Sequence, residues 1–173
     1  MIRTVCCAVL MLCVLGCGPD PVSDTGYTGT WERGNDRLKS TLAIVERQGE
    51  YRVRRSLRSS DGSHELRCDW DGKCEEFVDG EKTSDYTLRP SVHAETKRLR
   101  LEVRASIFKP TVLELHYVDE FLLKDEGLRL RARTIEKQGQ PIRKKDGPVS
   151  KRDYRKVSNR VTDPPDGWSA DAG

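Results

Sequence analysis

Residues 99–107 read Leu99-Arg100-Leu101-Glu102-Val103-Arg104-Ala105-Ser106-Ile107. Apolar side chains fill the odd positions, and Arg100, Glu102, Arg104 and Ser106 fill the even ones. In an extended chain, successive side chains point to opposite faces. The spelling therefore sets one row in a core and the other in water, whereas a helix would spread both rows around its circumference. The same spelling recurs on both sides. Leu113, Leu115 and Tyr117 repeat it after the Lys109-Pro110 break, and Leu128, Leu130, Ala132 and Thr134 stand opposite Arg129, Arg131 and Arg133. Upstream, Leu42 and Ile44 alternate with Ala43 and Val45, and Tyr51 and Val53 alternate with Arg52 and Arg54. The residues between them, 46–50, include Gln48-Gly49 and supply a turn.

Only residues 108–123 let a helix compete, and there Pro110, Thr111 and Val112 oppose it, because Pro lacks a donor and β-branched residues are stiff. Counting segments and turns, among them residues 124–127, gives an all-β chain of eight to ten strands. Consecutive antiparallel strands with one buried face form an up-and-down meander, and such a sheet protects its edges best by closing on itself. The expectation is an antiparallel barrel of eight to ten strands.

Hydrophobic residues make up 35% of the 173 residues and charged residues 34%, and the charges alternate with the apolar positions instead of diluting them, which favours a folded sheet over disorder. The net charge of +3 gives no global reason for binding nucleic acid.

The N-terminus differs in character. Arg3 precedes an apolar run over residues 5–15, about 16 Å long as a helix and half the hydrocarbon thickness of a bilayer, which is too short for a membrane span and suits an export signal. The run ends in Val14-Leu15-Gly16-Cys17, which resembles the bacterial lipobox. The resemblance implies cleavage before Cys17 and acylation of its thiol; two or three acyl chains, at about 0.8 kcal/mol per buried CH₂, anchor a protein firmly on a membrane. An ordinary secretory signal that happens to contain cysteines is the alternative. Gly18, in place of an Asp that would favour inner-membrane retention, points to the outer membrane in a two-membrane cell. The expected organisation is a signal over residues 1–16, a lipidated flexible tether over 17–26, a barrel domain over 27–160 and a disordered tail over 161–173.

Three of the six cysteines leave with the signal and Cys17 takes lipid, so Cys68 and Cys74 remain, in an oxidising compartment. Between them Asp71-Gly72 marks a tight turn. A disulfide across this hairpin is the main expectation; a metal site with His64 is the alternative, and it lacks further ligands.

Gly29-Thr30-Trp31 opens the domain and resembles the Gly-x-Trp start of the lipocalin-like (calycin) barrels, in which the Trp plugs the closed end. Leu42-Ala43-Ile44, Gly49-Glu50-Tyr51 and the closing Asp153-Tyr154-Arg155-Lys156-Val157 extend the resemblance to small lipoproteins with such barrels. It implies a last strand returning beside the first.

His64, His93 and His116 are scattered singly, and no HExxH, GxSxG, phosphate-binding or dinucleotide-binding motif is present. The expectation is no enzyme, no metal and no cofactor. Residues 61–85 carry a local charge of −6 and residues 141–160 one of +6. These are either solvated faces or, for Lys144, Lys145, Lys151 and Arg152, a surface toward anionic headgroups. A lipid-anchored envelope barrel holding a small apolar ligand is the first functional expectation. An interaction protein, including an inhibitor of a wall-active enzyme, is the second. The sequence singles out no ligand-binding residue.

Overall fold

The computed structural model of the chain describes residues 25–108, 112–125, 127–137, 140–146 and 153–168, with side chains outside 141–146. The expected export signal over residues 1–16, the lipobox-like Val14-Leu15-Gly16-Cys17 and the expected acylation at Cys17 lie outside these residues. Among the described residues the secondary structure is strand alone, in chain order β1 Gly29–Gly34, β2 Leu38–Arg47, β3 Glu50–Ser59, β4 His64–Cys68, β5 Lys73–Val78, β6 Glu81–Val92, β7 Leu99–Ile107, β8 Leu113–Lys124, β9 Gly127–Lys137, β10 Gln140–Asp146 and β11 Tyr154–Ser158.

From β1 to β10 each strand pairs antiparallel with the next, and β11 pairs with both β1 and β9. Ten strands thus close a ring, the up-and-down meander that the alternation predicts. The closing seam is short: Tyr154 lies opposite Leu128 and Arg155 opposite Gly127, while β10 takes the remainder of the same β9 edge, from Ala132 to Lys137. Two hairpins turn through residue pairs with positive φ, Gln48-Gly49 (53° and 81°) and Asp79-Gly80 (51° and 79°). That backbone matches the right-handed twist of the flanking strands. The turn between β4 and β5 depends on Gly72 for another reason. Its carbonyl accepts from the Leu88 amide at 2.7 Å, and a Cβ there would sit 2.0 Å from the Leu88 carbonyl oxygen.

One end of the barrel is filled. Trp31 is fully buried and donates its indole N–H to the Tyr27 carbonyl at 2.8 Å. The Tyr27 hydroxyl donates to the Lys97 carbonyl at 2.6 Å and accepts from the Leu99 amide, tying the segment just before β1 to the β6–β7 loop. Leu42, Ile44, Leu99, Phe121, Leu128 and Leu130 complete this packing.

Three expectations are corrected. The row Leu128, Leu130, Ala132, Thr134 does not continue on one face. A bulge in β9 places Leu130 opposite Phe121 and Ala132 opposite Glu120, leaving Arg131 as the extra residue. One inserted residue reverses the facing of everything after it. Arg133 therefore turns inward opposite Asp119, and Ala132 and Thr134 turn out.

The second correction concerns the tail. Within the stretch expected to be disordered, residues 161–168 lie against the outside of the sheet. Val161 is 3% exposed and packs with Ala43, Val45, Trp70 and Trp168. The Trp70 indole donates to the Asp163 carbonyl at 2.7 Å, Arg54 donates to the Thr162 carbonyl at 2.7 Å, and Arg52 lies over the Trp168 ring. The cause is in β2, whose outward row, Ala43 and Val45, is apolar like its inward row and needs a cover. The other boundary also moves. Thr25, within the expected tether, donates to Glu46 at 3.0 Å and accepts from the Tyr51 hydroxyl at 2.9 Å.

Candidate functional site

The interior away from Trp31 is polar. Period-two rows carry it there: Arg33 follows Trp31 on β1, Arg55 follows Tyr51 and Val53 on β3, and Asp119 follows Tyr117 on β8, while the β9 bulge adds Arg133. Asp119 is 6% exposed, and both of its oxygens accept from Arg133 in a two-pronged ion pair. The Arg133 guanidinium also stacks over the Tyr117 ring, 4.7 Å from its centroid. Arg33 lies 4.6 Å over the Tyr154 ring, whose hydroxyl shares a hydrogen bond with Ser40 at 3.1 Å. Burial pushes the Arg33 guanidinium below its usual pKa; the like charges of Arg55 and Arg133 add to that, against Tyr154 and Asp119.

Arg55 is the least satisfied of the three guanidinium groups. Its Nη1 donates to the Tyr117 hydroxyl at a long 3.4 Å, and its Nε is buried without a hydrogen-bond partner. Among the described residues no carboxylate stands within ion-pair distance of it. Burial pushes the Arg55 guanidinium down, yet Tyr154, Tyr117 and the charge of Asp119 outweigh it and hold the group above its usual pKa.

Across the chamber a second polar group forms on β4, β5 and β6. Glu76 accepts from the Tyr86 hydroxyl, from Ser84 at 3.0 Å, and pairs with His64 Nε2 at 2.6 Å. Burial pushes the Glu76 carboxyl up, yet the hydrogen bonds from Tyr86, His64 and Ser84 outweigh it and hold the group below its usual range. Burial, helped by the Glu76 charge, pushes the Tyr86 phenol up.

Between the two groups lies a cavity of about 60 Å³, lined by Arg55, Leu57, Leu66, Cys68, Cys74, Glu76, Tyr86, Leu88 and Val103. Pockets for drug-sized ligands run to roughly 300–1,000 Å³, so this one holds a few small atoms. Cys68 and Cys74 sit opposite each other on β4 and β5 and form a disulfide that is part of the cavity wall. His64, the alternative ligand partner for these cysteines, is bonded to Glu76 instead.

The other histidines lie apart from the chamber. His93 accepts from the Thr96 amide in the β6–β7 loop. His116 stands between Glu102 at 3.2 Å and Glu136 at 2.9 Å. Among the described residues no group of three or more His, Cys, Asp or Glu is arranged to hold a metal ion. Of the basic stretch 141–160, Lys144, Lys145, Lys151 and Arg152 lie outside the described side chains, and Lys156 covers the Trp31 ring at 5.3 Å.

Sequence reasoning missed Arg33, Arg55, Asp119 and Glu76 as interior groups. For Arg55 and Asp119 the signal was present: extending the rows Tyr51-x-Val53 and Leu115-x-Tyr117 by two residues reaches them. Arg133 carried no such signal, because its facing depends on the bulge.

No protein-family model matches the chain, and neither a curated protein nor a solved structure matches it.

Proposed function

We propose that this protein is a lipid-anchored, non-enzymatic binding barrel of the bacterial cell envelope, held by acyl chains on Cys17 and taking a small ligand in its interior. The observation that carries the reading is the chamber beside Arg55: a cavity inside a closed barrel, next to a guanidinium with no carboxylate of its own. An interior built only for stability has no use for such a group, since apolar residues of equal volume fold as well or better. Val14-Leu15-Gly16-Cys17 supports the anchor, and eight residues beyond Cys17 the Thr25 side chain is bonded to Glu46 and Tyr51 of the barrel. A 60 Å³ space favours a small ligand over a bulky one.

Two measurements test the reading separately. Palmitate labelling should mark the wild-type chain and leave Cys17→Ser unmarked; equal labelling removes the anchor. Native mass spectrometry of the gently purified chain should show a reproducible small adduct, and a bare mass in every preparation contradicts the binding role.

A second reading, an envelope interaction protein such as an inhibitor of a wall-active enzyme, is favoured by Trp70 and Trp168 standing beside Arg52 and Arg54 on the outer face. Trp and Arg are enriched where interfaces concentrate their binding energy. Capture of one envelope protein by the wild type, lost in Trp168→Ala at a temperature where unfolding curves show that variant still folded, supports it; identical recovery by both counts against it.

A further inference from the structure

We propose that Arg55 anchors a site inside the barrel for a short-chain monocarboxylate. This rests on the binding-barrel reading above and names the class of ligand the barrel takes.

Charge gives the first constraint. Asp119 is committed to Arg133 through both oxygens, and Glu76 to Tyr86, Ser84 and His64. Arg55 keeps one long hydrogen bond and an Nε without a partner. A guanidinium on the cavity wall that is short of acceptors suits an oxyanion.

Size gives the second. At roughly 10–15 Å³ for each water-sized position, the 60 Å³ cavity takes about four to six non-hydrogen atoms, the span from acetate to butyrate.

The wall gives the third. Leu57, Leu66, Leu88 and Val103 offer an apolar surface to an alkyl tail. Glu76 stands on the same wall, so a dianion such as phosphate meets a like charge that a monoanion feels less, and phosphate has no tail to bury. A carboxylate at Arg55 with two or three carbons against the leucines meets all three constraints.

The test is thermal unfolding of the purified full-length chain in sodium butyrate, acetate, phosphate and chloride at one ionic strength. Butyrate should raise the midpoint by roughly 3–6 °C at ten times its Kd, acetate less, and phosphate no more than chloride. Arg55→Gln should weaken butyrate by at least about tenfold, the loss of a charge-assisted hydrogen bond. Leu57→Phe keeps the guanidinium and fills the cavity, and should lose butyrate more than acetate. If Arg55→Gln does not fold, Leu57→Phe carries the test.

Equal butyrate responses in wild type and both variants, or phosphate matching butyrate, overturn the assignment. A wild type that carries a co-purified adduct yet ignores butyrate also overturns it, while leaving the binding barrel standing. Neither adduct nor response removes both.

Discussion

Removing the Asp119 carboxylate should be among the most damaging single changes to this fold. Asp119 and Arg133 are paired through both carboxylate oxygens, with side chains 8% and 18% exposed, and Arg33 and Arg55 stand in the same chamber. An exposed pair of this kind contributes about 0–1 kcal/mol, whereas breaking a buried pair from one side costs about 3–5 kcal/mol. Here the guanidinium left behind also faces two like charges, so Asp119→Ala should fall in the upper part of that range. With a urea m-value of about 2 kcal/mol/M, the unfolding midpoint should drop by roughly 2–2.5 M. Asp119→Asn keeps the shape and one acceptor and should lose less. The double variant Asp119→Leu with Arg133→Met removes both charges and should recover most of the loss, because well-packed apolar replacements of buried pairs are close to neutral. Urea unfolding of the three variants, read as a cycle, measures the coupling. A loss below about 1 kcal/mol for Asp119→Ala, or a double variant worse than the single one, would refute a buried pair and with it the β9 bulge that turns Arg133 inward.

Other expectations follow from the same geometry. Cys68→Ala with Cys74→Ala opens a small loop and should lower stability by about 2 kcal/mol, read by urea unfolding with and without reductant; identical curves would contradict the bridge. Trp168→Ala uncovers Ala43 and Val45 and should cost roughly 1–3 kcal/mol while speeding amide exchange in β2; unchanged exchange would detach residues 161–168 from the sheet. Gly72→Ala should be strongly destabilising, because φ there is 77° and the new Cβ would lie 2.0 Å from the Leu88 oxygen; a midpoint within error of wild type would contradict the turn. Glu76 and Asp61 have pKa values below their usual ones, Glu76 through its donors against burial and Asp61, down to about 2, through Ser59 and Ser63. Lowered carboxylate values stabilise fully above the unfolded pKa and lose that contribution as pH falls through the folded one. Stability should therefore decline from about pH 4.5 toward pH 2, less steeply in Glu76→Gln and in Asp61→Asn; slopes equal to wild type would contradict both roles.

The ring of strands was legible because most rows keep strict period two, as Leu99, Leu101, Val103 and Ala105 do. The disulfide was legible from six-residue spacing around an Asp-Gly turn. Three features were not. The bulge at Arg131 changes no residue type, only the facing of those after it, so Ala132 and Thr134 read as core until pairing with β8 sets them outside. The segment over residues 161–168 looks disordered in isolation, because Val161 and Trp168 have no periodic neighbours. Its partner is the second apolar row of β2, more than a hundred residues away in sequence. The charged chamber was half legible. Arg55 and Asp119 continue inward rows, but an Arg within an apolar row reads first as the row's end, and only closure of the barrel makes that position interior.

The claim on which the rest depends is that guanidinium groups sit inside this barrel, away from water. Side-chain Nε–H resonances of the ¹⁵N-labelled chain near neutral pH test it most directly. Arg55 and Arg133 should give slowly exchanging signals, assigned by their loss in Arg55→Gln and Arg133→Met, and the Arg55 signal should move when butyrate is added. If every arginine Nε–H exchanges as fast as in an unfolded chain, the interior charges are solvated, and the chamber and its proposed ligand fall together.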